Sequence, residues 1–229
     1  MKYVSVILFL FNFCSLAFGQ NYFSVGNWRD HLPYASINEI ALVNQTYYAA
    51  TPFSLIAFDN ITNEITRYST VNGLSEVGIS GIVANESQNT LLIAYESSNI
   101  DLLKDDEIIN LSAILNSNII GDKTIYELVS HNRYVYICTG FGIVVIDLNK
   151  KEVKDTYIIG DNNTQVKVSD LHISNDSIFA LTDLGIKAAA LSSNFLSDAN
   201  SWGDISAPPL VVNNFESYGD DFLAYGTSN

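Results

Sequence analysis

The chain of 229 residues is built on a repeat. Its clearest unit runs from Tyr134 to Asp147, where two short apolar runs, 134–138 and 143–146, flank a turn that holds Gly140 and Gly142. β-Branched and aromatic residues on both sides of a glycine turn predict a β-hairpin. The lack of polar alternation predicts that both of its faces are buried. With Thr139 as the anchor, equivalent turns begin at Thr51, Tyr95, Thr182 and Thr227, spaced 44, 44, 43 and 45 residues apart in chain order. One unit of short strands cannot bury both faces of its own sheet, so neighbours must stack on it. The architecture this implies is an all-β propeller with one four-stranded blade per repeat.

Apolar runs bounded by Asn, Asp and Gly predict the strands. The first blade takes 37–43, 46–50, 55–58 and 65–69, and the second 79–83, 90–94, 100–103 and 108–111. The third takes 125–129, 134–138, 143–146 and 153–158, and the fourth 168–173, 177–181, 186–190 and a weaker strand near Trp202. A fifth blade starts near Val212. No long segment carries apolar residues at helical spacing; residues 111–120 are the best short candidate for a helical turn, or else a loop between strands.

Two similar stretches bear on ring closure. Asn27-Trp28-Arg29-Asp30 precedes the first blade much as Ser201-Trp202-Gly203-Asp204 precedes the fifth, each followed by a proline-bearing linker. Trp202 belongs to the outer part of its blade, so Trp28 and the surrounding residues 20–35 are expected to complete the last blade of a closed ring. The sequence stops at Thr227-Ser228-Asn229, inside the hairpin turn of the fifth repeat. This implies an incomplete propeller of about four and a half blades. On this reading the inner strand of the first blade faces a missing neighbour.

The first 19 residues read as a secretory leader. Lys2 precedes an apolar run over 4–13, and Ala17-Phe18-Gly19 provides small residues two apart before Gln20. The run is too short to span about 30 Å of hydrocarbon, and no later run is long enough. Phe13 in front of Cys14 argues against lipid anchoring, so Cys14 is expected to leave with the leader. Cys138 then stands alone, with no disulfide partner. Set in an apolar run, it reads as a small core residue rather than a nucleophile. Without Lys2, 10 basic face 25 acidic side chains. That balance repels nucleic acid and anionic headgroups and is more compatible with cations or neutral sugars.

The short motifs favour structural readings. Gly140-x-Gly142 lacks the third glycine and the helix of a dinucleotide site. Gly121-Asp-Lys-Thr124 resembles the tail of a phosphate loop, but Asn116 stands where the preceding glycine should be. Asp105-Asp106-Glu107 and Asp220-Asp221 are carboxylate clusters in expected hairpin turns. Gly160-Asp-Asn-Asn-Thr164 lacks the spaced ligands and closing glutamate of a calcium loop. Trp28 and Trp202 could stack on sugars, but their place in the repeat favours packing between blades. No catalytic, metal or cofactor-binding residue is assigned.

Asn72-Gly73-Leu74-Ser75 followed by Ile79 and a hairpin resembles the linker and blade of the two-component-regulator propeller repeat. Asn27–Tyr34, Val71–Gly78, Thr90–Tyr95, Asn99–Leu103, Gly121–Thr124, Gly140–Asp147 and Lys154–Asp161, in this order and spacing, resemble a narrower group, the PorZ-type propellers of the type IX secretion system. That resemblance implies a seven-bladed propeller, and beyond this chain a second propeller and a β-sandwich. It implies a non-enzymatic member of the attachment complex at the Gram-negative outer membrane. Such a member is exported by a cleaved leader to the periplasm or cell surface, where it presents anionic lipopolysaccharide to a partner sortase. The alternatives are the sensor ectodomain of a hybrid two-component regulator and a propeller polysaccharide lyase or hydrolase. N-terminal mass spectrometry of the exported protein should find Gln20, free or cyclised, as the first residue; an intact Met1 would overturn the leader.

Overall fold

The computed structural model describes residues 32–205, 211–218 and 221–227. Sixteen strands form four antiparallel four-stranded sheets, and β17 and β18 form a two-stranded one. The first sheet is β1 (Glu39–Val43), β2 (Thr46–Thr51), β3 (Ser54–Asp59) and β4 (Ile65–Tyr68). The second is β5 (Ile79–Asn85), β6 (Thr90–Tyr95), β7 (Ile100–Lys104) and β8 (Glu107–Asn110). The third is β9 (Ile125–His131), β10 (Tyr134–Thr139), β11 (Gly142–Asp147) and β12 (Glu152–Tyr157). The fourth is β13 (Val168–Ser174), β14 (Ser177–Thr182), β15 (Gly185–Ala190) and the short β16 (Gly203–Ile205). β17 (Val211–Tyr218) and β18 (Asp221–Thr227) follow. Each sheet is a meander in sequence order, and the first strands of successive sheets lie side by side. This is the blade arrangement of a propeller, with β1, β5, β9, β13 and β17 innermost.

The expected four-strand blades are all present, with small shifts at their ends. β1 begins at Glu39 rather than Ile37, although the Asn38 amide still donates to Ala50 O at 2.9 Å. β4 stops at Tyr68 because the Ser69 amide turns to the Asn72 side chain, 2.6 Å away. Residues 111–120 form a loop with one helical turn, in which the Asn116 amide donates to Ser112 O. Among the described residues no α-helix occurs, and none is long and apolar enough to cross a membrane. Residues 1–31, with the leader, Cys14 and Trp28, lie outside the described residues, as does Asp220.

The core is divided between blades. One cluster joins the first and second blades, a second joins the second and third, and a third joins the third and fourth. Alternation along a strand sends successive side chains to opposite faces, and each central strand therefore serves two clusters. On β6, Leu91, Ile93 and Tyr95 face the first blade, while Leu92 and Ala94 face the third. On β10 and β11, Val135, Ile137, Val144 and Ile146 pack toward the second blade, and Tyr136, Cys138, Ile143 and Val145 toward the fourth. This is why the Tyr134–Asp147 stretch shows no polar alternation. Every residue of β6 and β11 is buried. Among the described residues blade one has such a neighbour on one side only. Ile40 and Ile65 on its other side are 63% and 55% exposed.

The threonine anchors have a hydrogen-bonding reason. Thr139 Oγ1 donates to Gly142 O at 2.8 Å and accepts from the Phe141 amide. Thr182 Oγ1 does the same with Gly185 O and the Leu184 amide, and Thr51 with Ser54 O and the Phe53 and Ser54 amides. A side-chain oxygen thus closes each turn and satisfies backbone groups within a buried hairpin. The second blade has Tyr95 at this place, and its hydroxyl donates to Asp101 at 2.6 Å. The same Asp101 carboxylate accepts from the Ser75 amide, the Ser75 hydroxyl and the Asn110 side chain. The Asn72-Gly-Leu-Ser75 linker is in this way fastened to the blade it introduces.

Two turn glycines with positive φ differ in their surroundings. Gly142 has φ +144°, and a Cβ there would collide with the Tyr157 carbonyl; Gly185 has φ +124° with nothing within 4 Å. Gly142→Ala should therefore cost about 2–4 kcal/mol from strain and backbone displacement, and Gly185→Ala about 1 kcal/mol from φ alone. Chemical denaturation of the two variants measures the difference.

Candidate functional site

The inner strands carry a repeated irregularity. A β-bulge sits at Ser80, Tyr126, Ser169 and Asn213, two residues into each of β5, β9 and β13 and three into β17. A bulge frees a backbone N–H from the ladder and re-aims the side chain beside it. Next to the bulges stand Gly81, Glu127, Asp170 and Asn214, and Glu39 has the equivalent pairing on β1. Two of these carboxylates reach the following blade. Glu39 accepts from the Ile82 amide at 2.8 Å, and Asp170 from the Phe215 amide at 2.6 Å. Glu127 accepts from the adjacent Leu128 amide, and Asp170 also from Leu171. Glu39 and Asp170 are thus inter-blade clasps on the innermost strands, while Glu127 bonds within its own strand.

They also give the inner surface its electrostatics. A cleft of about 440 Å³ runs along β9 and β13 past Glu127, His131, Asp170 and His172 to Phe215. A smaller one of about 90 Å³ lies between Glu39 and Glu127. Partial desolvation raises the pKa of all three carboxyls, and the amide donors oppose it. For Glu127 the negative charges of Asp170 and Glu39 raise it further. His172 shifts downward because burial disfavours its cation. An inner wall of this sign repels an anionic polymer.

The sequence motifs fall into structural roles. Cys138 is fully buried in the core between blades three and four, and burial pushes its thiol pKa up. Lys123, the lysine of the phosphate-loop-like stretch, donates to Leu115 O and Ser117 O, and a strand follows it rather than a helix. Asp105 and Asp106 form a tight turn with positive φ at both residues, and Asp106 accepts from Tyr68 of the preceding blade at 2.6 Å. Asp161, in the calcium-loop-like stretch, pairs with the buried ammonium of Lys187 at 2.9 Å, and Asp204 pairs with it at 2.8 Å. Desolvation lowers the Lys187 pKa, and the two aspartates more than reverse this. Trp202 packs between blades three and four, 6.4 Å from the Tyr157 ring, and its indole N–H donates to Leu196 O. Among the described residues no cluster of three His, Cys, Asp or Glu side chains is arranged to hold a metal ion. The carboxylates of Glu39, Glu127 and Asp170 fall in the repeat register, 88 and 43 residues apart with Gly81 in the second blade's place, yet the clasps escaped sequence reading. Their partners are amides, which leave no signal in a sequence.

Residues 47–203 match the profile of the PorZ N-terminal β-propeller domain of the type IX secretion system, over more than half of the chain. The chain belongs to this family. Among solved structures it is similar to PorZ, a bacterial surface component of the type IX secretion system of Porphyromonas gingivalis. The TM-score is 0.66 at 24% identity, over 75% of this chain and 22% of that one. It is also similar to the extracellular domain of BT4673, a one-component system protein from B. thetaiotaomicron, with a TM-score of 0.62 at 12% identity over 85% of this chain and 27% of that one. AztD from Citrobacter koseri follows at a TM-score of 0.51 and 16% identity, over 75% and 46% of the two chains. At these identities the likeness concerns the fold. This chain spans about a quarter of the length of the first two. No curated protein matches it.

The raised carboxyl pKa values predict a pH dependence of defined sign. A folded-state pKa above the unfolded one means that the folded protein takes up protons first. Stability therefore increases as pH falls from neutral through the folded values, and the gain ends near the ordinary carboxylate range of about 4. Glu127→Gln keeps the acceptor for Leu128 and removes the charge. It should raise the melting temperature at pH 7.5 relative to the natural protein, and the advantage should vanish near pH 4. Melting curves across this range are the check.

Proposed function

We propose that the chain is the propeller part of a non-enzymatic component of the type IX secretion attachment complex. In this reading the protein acts outside the cytoplasm, at the outer-membrane surface. It binds anionic lipopolysaccharide and presents it to a partner sortase that anchors secreted cargo. The family match over residues 47–203 carries the reading. Fully packed inter-blade cores support a rigid scaffold for partners rather than a catalytic cleft. The test is deletion of the full-length gene, followed by the fate of secreted cargo. Cargo should accumulate unprocessed and unattached; normal attachment at the cell surface would overturn the proposal.

A second reading has its own support. The extracellular domain of BT4673, a sensor-type protein, shares the fold over most of this chain. A sensor ectodomain requires a membrane span and signalling motifs downstream of the propeller in the complete gene. The complete reading frame separates the two.

A further inference from the structure

A second cleft, of about 380 Å³, lies between blades three and four and shares only His131 with the cleft along the inner strands. Its floor is made by Tyr134 and Tyr136 of β10 and Tyr157 of β12, and one wall by residues of the loop after β15, including Asn194 and Leu196. The volume falls within the range of small-molecule sites, about 300–1,000 Å³. Tyr136 and Tyr157 are 4% and 2% exposed, with their rings in the inter-blade core. Neither hydroxyl has a hydrogen-bond partner among the described residues, and neither is sealed off from the cleft. Buried phenols ordinarily satisfy their hydroxyls within the protein. Tyr68 and Tyr95 of this chain do so, each donating to an aspartate at 2.6 Å. Burial pushes the Tyr136 pKa up to about 12, and the Tyr134 phenol adds to it; Tyr157 shifts upward for the same reasons and also feels Asp155. The phenols therefore stay protonated and close together.

The cationic side is equally specific. The ladder between β11 and β12 breaks register at Lys154, so that Val145 pairs with Asp155 and Ile146 with Val153. The corresponding ladders of the other three blades run unbroken. This bulge turns Lys154 onto the cleft, where its ammonium lies 4.5 Å from the centre of the Tyr134 ring without a carboxylate partner. Arg133 lies 4.9 Å from the same ring and is paired with Asp147. Trp202 supports the opposite wall through its bond to Leu196 O.

We propose that this cleft binds a sugar residue of a surface glycan. The Tyr136 and Tyr157 hydroxyls and the Asn194 amide would take its hydroxyl groups, and Lys154 an acidic substituent. Donors and acceptors set close together above aromatic carbon match a ring that is polar at its edge and apolar on its face. This inference rests on the glycolipid part of the function proposed above, and it assigns recognition to the polysaccharide rather than the lipid.

The experiment uses the full-length protein and three probes from the organism that encodes it: intact lipopolysaccharide, its delipidated polysaccharide, and lipid A. Isothermal titration should show binding of the first two and not of lipid A. The double variant Tyr136→Phe/Tyr157→Phe should bind the polysaccharide about tenfold more weakly or worse, since two hydrogen bonds are lost. Its melting temperature should not fall, because the hydroxyls have no partner among the described residues to lose. Lys154→Gln should weaken binding at low salt more than at high salt. An unchanged affinity in the double variant would overturn the proposal, and so would a melting temperature lowered by the loss of the hydroxyls. Binding of intact lipopolysaccharide and lipid A without the polysaccharide would sink this inference and leave the functional reading standing. Absence of binding by all three probes would sink both the site and the glycolipid role, while cargo attachment after gene deletion would still decide the secretion role.

Discussion

Burial of each blade between two neighbours is the constraint on which the structure depends. A single four-stranded sheet of these residues would leave one apolar face in water. Each described blade from the second to the fourth shares a core with the blade before it. The largest favourable term, apolar area removed from water, therefore arises between repeats rather than within them. Hydrogen bonds then fix the spacing of the blades. Glu39 to Ile82, Tyr68 to Asp106, Asn85 to Asn132 and Asp170 to Phe215 all cross from one blade to the next. The stability of such an array is a sum of repeat and interface terms. On the side of the first blade where the described residues place no second blade, Ile40, Tyr47 and Ile65 are exposed.

The same packing separates the surfaces that could act. The inner strands are acidic at Glu39, Glu127 and Asp170, whose carboxylates accept from backbone amides. The cleft between blades three and four is instead lined by phenols, by His131 and Asp155, and by the Lys154 ammonium, which has no ion-pair partner among the described residues. An overall charge of −14 would by itself argue against an anionic ligand. The charge at this cleft is locally balanced instead, because Lys154 lines it beside Asp155 and Arg133 nearby is paired with Asp147. Net charge describes long-range repulsion, while recognition is decided within a Debye length of about 8–10 Å.

Much of this was legible in the residues alone. The 44-residue period, the strand runs and the turn chemistry were enough for blades, because strand formation and inter-blade burial both follow from local pattern. The anchors Thr51, Thr139 and Thr182 were visible as a period, though not as hydrogen-bonded turns. Trp202 was readable as an inter-blade residue, and Cys138 as core. The boundaries that shifted did so for local reasons: Ser69 leaves the strand because Asn72 captures its amide.

What the sequence determined by itself was the fold class, through a repeat that no other arrangement of short apolar strands could bury. Only the tertiary structure decided where polar groups meet. Glu39 and Ile82 are 43 residues apart, and so is the pattern of every core position, so nothing in the sequence distinguishes the clasp from packing. Lys154 looks like an ordinary exposed strand residue until a bulge shifts the register around it. Tyr136 and Tyr157 read as core, and their rings are core. That their hydroxyls open onto a shared cleft depends on the loop after β15 of the next blade, a relation that exists only once the two blades are packed together.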